Sequence, residues 1–342
     1  MAQFAPRDHD TDAVLYAKEG VLGRIRLNRP RAINALNLDM VTSMTRQLQE
    51  WANDDGVAAV ALDGAGDRGL CAGGDIRALR QSIIDAGADT AIEFWKHEYR
   101  LNALIAEYAK PFVAYMNGVT MGGGIGVSGY ASLRLATADS KIAMPETGIG
   151  FFPDVGATYL LSRAPGETGT HMAMSGLPID GHSAVACGLA DAVADNARFE
   201  EICAGLAEGH SVQSYRFDTH GAAPIDVDRD WIDECYRGDD PVTIVKALRE
   251  HPSENARKTA ETVASRSPLS VAVALEAVRR ASKLSLRGVL EQDARLGHAF
   301  ATESDFVEGV RALIVDKDNN PSWRDASLDN VDLSAVRAMF EK

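Results

Sequence analysis

Residues 118–129 read GVTMGGGIGVSG. They continue from PFVAYMNG (111–118), a short apolar run closed by a turn, which is the pattern of a buried strand. After the glycines the sequence becomes compatible with a helix. Strand, glycine turn and helix start therefore follow one another. Such a junction leaves backbone N–H groups without intrahelical partners and directs the positive end of the helix dipole at one place. A second loop of the same kind, GAGDRGLCAGGDIRAL (64–79), follows the apolar run VAAVALDG (57–64). Two such junctions facing each other make an anion hole. There each donor to a carbonyl oxygen that turns negative is worth about 3–4 kcal/mol. Two plainer readings compete. Glycines also mark ordinary tight turns. GGGIGVSG also approaches the dinucleotide fingerprint, but it lies far into the chain and no acidic residue closes the following strand. No Gly-Lys-Ser/Thr follows either loop, which excludes a Walker phosphate loop.

Working outward, AVLYAKEGVLGRIRLNRP (13–30) reads as a hairpin turning at Lys18-Glu19-Gly20, with Pro30 closing its second strand. LDMVTSMTRQLQEWAN (38–53) has apolar residues at helical spacing, and TAIEFWKHEYRLNALIAEYA (90–109) predicts a long amphipathic helix. LRLATADSKIAMPE (133–146) predicts two short strands around an Ala-Asp-Ser turn, and AVACGLADAVAD (184–195) one more short strand. The first half alternates strand and helix, so the expected class is α/β, with strands covered by helices. Beyond residue 165 the strand signals fade, and from Asp228 onward the pattern is nearly all helical. In RSPLSVAVALEAVRRASK (266–283), Ser267 is placed to cap a helix whose first residue is Pro268. The division expected is a core over 1–220 and a helical C-terminal region over 221–342, joined at GAAPIDVD (221–228).

Of the 342 residues, 46% are hydrophobic and 25% charged, the balance of an ordinary globular chain. The net charge of −14 and the lack of a dense Lys/Arg tract argue against nucleic-acid binding. An anionic ligand would have to be held locally. Four cysteines without CxxC spacing point to free thiols in a reducing cytosol, so the expected location is cytoplasmic. MAQFAPRDHD lacks the basic and apolar regions of a secretory signal, and no apolar run reaches membrane-spanning length. The eight histidines are scattered without i, i+4 pairs, so no metal site is expected.

MPETGIGFFPDVG (144–156) sets two carboxylates, Glu146 and Asp154, eight residues apart in an otherwise apolar, glycine-rich stretch. A carboxylate among apolar groups is costly unless something uses it. Glu146 could also be a turn residue after Pro145, and Asp154 an N-cap for a helix starting near Val155.

Four segments, NRPRAINALN (28–37), LCAGGDIRAL (70–79), NGVTMGGGIGVS (117–128) and AMPETGIGFFPDVGATYLLSR (143–163), together resemble the enoyl-CoA hydratase/isomerase (crotonase) superfamily. Order and spacing match through roughly residues 12–195. The resemblance implies a crotonase-like fold: stacked ββα units forming two roughly perpendicular sheets, followed by helices. It implies an acyl-CoA substrate and an oxyanion hole, assigned here to the N–H groups of Ala72 and Gly123. The adenine end of coenzyme A would lie near RAIN and GGDI. That brings Ala32, Asp75, Ile76 and Gly122 to the substrate, with Arg29, Arg31 and Arg77 as candidate phosphate partners. Assemblies of three or six subunits are common in the superfamily, so a homo-oligomer is expected.

Hydratases use two glutamates. The second matches Glu146, but the first falls on Gly126. Asp154 in FPDVG, Glu98 in WKHEYRLN (95–102) and the distal DFVEGVRALIVDKDNNPSW (305–323) resemble instead the 3-hydroxyisobutyryl-CoA hydrolase branch. That branch implies thioester hydrolysis in valine breakdown without an added cofactor. Glu146 would act as general base or as nucleophile, Asp154 would meet the 3-hydroxyl or position water, and Glu98 would touch the acyl end. Glu98 could equally face water from its amphipathic helix. Two neighbouring carboxylates repel, so one of them should hold its proton unusually tightly. The competing expectations are hydration, which the missing first glutamate disfavours, one-glutamate isomerisation, and a coenzyme A-binding protein without turnover.

Overall fold

The alternating segments near the start pair as their period demands. In the computed structural model, which describes residues 3–217 and 222–341, β1 (Val14–Glu19) and β2 (Leu22–Leu27) form an antiparallel hairpin. The turn sits at Gly20 and Val21. The other strands are β3 (Ala59–Gly64), β4 (Phe112–Met116), β5 (Val119–Met121), β6 (Leu133–Ala136), β7 (Lys141–Ala143) and β8 (Ala192–Val193). Six form one sheet in the order β1-β2-β3-β4-β6-β8, parallel from β2 onward. Every residue of β4 is buried, as expected for a parallel strand covered on both faces. β5 and β7 make a separate two-stranded sheet. The two strands expected to flank the Ala-Asp-Ser turn are therefore present but part company, β6 to the large sheet and β7 to the small one.

The chain divides into two compact units, each built from several segments. The first comprises Met1–Gly74, His97–Ile142 and Ile179–Ala223. It holds the large sheet, whose core includes Leu22, Val113, Tyr115, Leu135 and the helix residues Phe199, Ile202 and Leu206. Phe199 stacks on Tyr115 at 4.5 Å. The second comprises Asp75–Lys96, Ala143–Pro178 and Pro224–Lys342, and is helical. Helix Pro268–Ala281 is central to it, buried along most of its length and packed on helices Thr168–Ser175 and Ala157–Leu161. Ser267 caps it and Pro268 is its first residue, as its sequence predicts. The expected core over 1–220 is not one unit, since Asp75–Lys96 and Ala143–Pro178 group with the C-terminal helices. The expected joint at 221–228 contains only the last passage, at Ala223/Pro224, and its first residue, Gly221, lies outside the described residues. Residues 1–2, at the start of the segment read for a leader, also lie outside them. No described helix is long and apolar enough to cross a membrane.

Candidate active site

In the first unit the two glycine-rich loops run side by side. Leu70 N–H donates to Asn117 O (2.9 Å), Cys71 N–H to Val119 O (3.1 Å) and Met121 N–H to Cys71 O (3.0 Å). Asn34 anchors a third strip of chain to them. Its buried Nδ2 meets the carbonyls of Ala65, Gly69 and Leu70, and its Oδ1 accepts the Arg29 N–H. Sequence reading passed over Asn34. Its position in a tight loop, with φ +53°, is the signal that an Asx residue holds that loop together.

The lacing decides which N–H groups are available. Ala72 N–H donates to Ile33 O at 2.9 Å. The donor assigned to Ala72 is therefore committed to the protein, and the assignment is corrected. Two residues on, the Gly74 N–H makes no hydrogen bond to the protein, while Gly73 O accepts from Leu36 N–H (2.8 Å). Gly123 is the first residue of helix Gly123–Ser128, after Gly122 as N-cap, so its N–H has no intrahelical acceptor. A Cβ placed on Gly123 would lie 3.4 Å from Gly74 N and would collide with Glu98 Oε1. Gly74 N, Gly123 and the Glu98 carboxylate thus border one small space. Glu98 is 2% exposed, so it points inward rather than to water. Burial pushes the neighbouring Cys71 thiol up to about 12, so no thiolate nucleophile forms beside the loops.

This crowding yields a test. Gly123→Ala is expected to lower kcat/KM by about 10–100-fold, the equivalent of 1–3 kcal/mol of forced displacement. The melting temperature should fall by no more than several degrees, because the better helix propensity of alanine offsets part of that displacement and the variant still folds. An unchanged kcat/KM would remove this space from the catalytic machinery.

The remaining carryovers separate. Ala32 ends the turn Pro30–Ala32 and is exposed. Arg29 Nη1 donates to Ala35 O (2.5 Å), and Arg31 O accepts a long contact from Arg68 (3.5 Å). In the second unit Asp75 caps helix Ile76–Ala86 by accepting from Ala78 N–H (3.2 Å), and Ile76, half-buried, begins that helix. Arg77 donates to Ile314 O (2.6 Å).

The two acids of 144–156 belong to the second unit. Glu146 opens the short turn Glu146–Ile149 and is 7% exposed; Asp154 is 6% exposed. The chain between them is held by rings. Phe151 stacks on Trp95 (4.8 Å) and meets Phe306 (5.4 Å) and Phe300 (5.5 Å), and Phe152 meets Phe300 (5.2 Å). Ser267 N–H donates to Thr147 O (3.1 Å), and the Ser267 hydroxyl to buried Asp305 (2.7 Å), whose other oxygen accepts the Arg324 N–H (2.7 Å). Segments far along the chain therefore build the walls around Glu146. Asp154 does not cap a helix beginning at Val155. The helix starts at Ala157 with Gly156 as its N-cap, because Val155 (φ +52°) and Gly156 (φ +74°) are both left-handed. A β-branched residue held there costs on the order of 1–3 kcal/mol.

A third acid appears that sequence reading missed. Asp293, 0% exposed, accepts the Gly156 N–H on Oδ2 (2.7 Å). Burial first, and then the charge of Asp154, raise its pKa well above the usual carboxylate range. The expectation of a raised pKa concerns Glu146 and Asp154; the acid that is raised is a different one, Asp293, with Asp154 as its charged neighbour. The signal was present in LRGVLEQDARLGHAF (286–300), where Asp293 falls on the same stripe as Val289, Leu290, Leu296 and Phe300. His171, buried on the edge of the Trp231 and Tyr236 rings, is pushed down to about 4 by burial and is not a general base at neutral pH. No group of three or more His, Cys, Asp or Glu stands ready to hold a metal among the described residues.

A family model described as enoyl-CoA hydratase/isomerase matches residues 22–340. The mitochondrial 3-hydroxyisobutyryl-CoA hydrolase of Danio rerio is 36% identical over 340 residues, covering 96% of this chain and 89% of the relative. A crystal structure named as a carnitinyl-CoA dehydratase from Mycobacterium thermoresistibile is 46% identical, with a TM-score of 0.90 and 96% of each chain covered. Another, named as an enoyl-CoA hydratase from Rhodobacter sphaeroides 2.4.1, is 34% identical, with a TM-score of 0.92, covering 96% of this chain and 97% of that one.

Proposed function

The chain belongs to the enoyl-CoA hydratase/isomerase family, and from that membership we propose that it hydrolyses the thioester of 3-hydroxyisobutyryl-CoA, or of a close short-chain 3-hydroxyacyl-CoA. The observation that carries this is the nearly full-length likeness to a 3-hydroxyisobutyryl-CoA hydrolase, joined to the acids present. Glu146 and Asp154 are buried, while the position of a hydratase's first glutamate is Gly126. Adding water across a double bond needs an acid and a base on opposite sides. Breaking a thioester needs one reactive carboxylate and a stabilised oxyanion.

In the proposed reaction the Gly74 and Gly123 N–H groups take the thioester oxygen. Glu146 either removes a proton from the attacking water or attacks the carbonyl carbon itself. In the first route the water oxygen bonds to carbon and the carbon–sulfur bond breaks. Coenzyme A leaves as thiolate and takes up a proton. In the second a mixed anhydride forms with loss of the thiolate and is then opened by water. Both give the free hydroxy acid and coenzyme A. A single turnover in labelled water, with Glu146 then analysed for label, separates them.

The solved dehydratase likeness supports a second reading, reversible dehydration of an acyl-CoA. Release of free thiol from 3-hydroxyisobutyryl-CoA, measured beside hydration of crotonyl-CoA, decides between the two. Hydration without thiol release would overturn the hydrolase reading. A place in valine breakdown and a reducing compartment are part of the proposal, the latter supported by four buried free thiols.

The carboxylates and backbone donors supply every proton and charge that the proposed reaction needs. Turnover is therefore expected to survive dialysis against EDTA and to need no nicotinamide. A loss restored by a divalent ion would refute this.

A further inference from the structure

Helix Leu286–Phe300 carries an acid where its pattern calls for an apolar side chain. Asp293 shares a stripe with Val289, Leu290 and Leu296 and has no exposed surface. Its Oδ2 accepts the N–H of Gly156 at 2.7 Å, and its Oδ1 has no partner in the protein. Gly156 is the second of two left-handed residues that directly follow Asp154. A β-branched residue persists in that conformation only where its surroundings over-determine it. The Asp293 carboxyl grips the backbone one bond beyond Val155.

Building on the reading of Asp154 as the residue that meets the acyl hydroxyl, we propose that Asp293 is a positioning residue of the hydrolysis. It clamps the Gly156 N–H, and so holds the left-handed turn that sets the place of the Asp154 side chain. The clamp works as the neutral acid. Burial opposes a charge on Asp293, and Asp154 opposes it again. Among the described residues only the Gly156 N–H works the other way. Helix Ala157–Leu161, packed against it, carries no acid or base except Tyr159. On helix Ser304–Val310, also packed against it, Asp305 is held by Ser267 and Glu308 by Arg311. A neutral clamp fixes the turn without adding a second negative charge beside Asp154.

The test compares Asp293→Asn, Asp293→Ala and Asp154→Asn on 3-hydroxyisobutyryl-CoA and isobutyryl-CoA, with melting temperature and the pH profile of kcat. An amide keeps both the acceptor and a donor in the place of the acid. Asp293→Asn is therefore expected within about threefold of wild type, with a superimposable pH profile. Asp293→Ala is expected to lose at least tenfold in kcat and most of the preference for the hydroxylated thioester, while still unfolding cooperatively. If Asp293→Ala does not fold, Asp293→Asn carries the test alone. A shifted profile, or a tenfold loss in that variant, overturns the neutral clamp. If Asp293→Ala folds and keeps both kcat and the preference, Asp293 is no more than a core residue. Impaired Asp154→Asn beside unimpaired Asp293→Ala sinks the clamp alone. Unimpaired Asp154→Asn retires the role of Asp154, and the purpose of the clamp with it.

Discussion

Replacing Glu146 by glutamine is expected to lower turnover of 3-hydroxyisobutyryl-CoA by 10²–10⁴-fold and to leave coenzyme A binding within about threefold of wild type. The amide keeps the shape of the side chain and its place at the head of the Glu146–Ile149 turn. It removes the carboxylate that can take a proton from water or bond to carbon. The walls of this site come from the Trp95–Phe151–Phe306 rings and the Ser267–Thr147 hydrogen bond, neither of which involves the Glu146 carboxylate. Loss of chemistry should therefore come without loss of fold. Steady-state thiol release and equilibrium binding of a non-hydrolysable thioether analogue measure the two quantities. Turnover above about a tenth of wild type would remove Glu146 from the centre of the reaction.

Asp154→Ala should act through selectivity. A buried group built to hydrogen-bond a hydroxyl is left unpaired when the hydroxyl is missing, and discrimination from that source reaches 10⁴–10⁵. Wild type is expected to prefer 3-hydroxyisobutyryl-CoA strongly over isobutyryl-CoA, and the variant to lose most of that preference. The Asp154 carbonyl, which accepts the Ala157 N–H at 2.8 Å, survives the substitution, so the following helix should keep its start. The same ratio of kcat/KM in both enzymes would mean that Asp154 does not read the hydroxyl.

What the sequence made legible was local. Ser267 and Pro268 announce a helix start because cap and first-turn chemistry involve only neighbours. The strands β6 and β7 are visible as short apolar runs, but their separation into two sheets is not, since partner choice rests on residues far along the chain. The oxyanion donors fail for the same reason. Whether Ala72 or Gly74 offers a free N–H depends on Ile33, nearly forty positions earlier. Asp154 looked like a cap because aspartate before a helix usually is one. Two consecutive left-handed residues delay the helix to Ala157, and valine gives no warning of such a conformation. Asp293 was readable, as an acid on an apolar stripe. The turn it holds was not.

The ring cluster around Phe151 has a consequence for how the protein is made. Phe151 leaves the ribosome long before Phe300 and Phe306, its later partners. At about 5–20 residues per second the wait is roughly 8–30 s. Throughout that interval Phe151, in the segment bearing Glu146 and Asp154, has its Trp95 and Phe152 ring contacts but lacks those of Phe300 and Phe306. A message cut short before codon 306 would therefore yield a chain with its reactive acids intact and its aromatic side bare, a client for chaperones rather than a smaller enzyme.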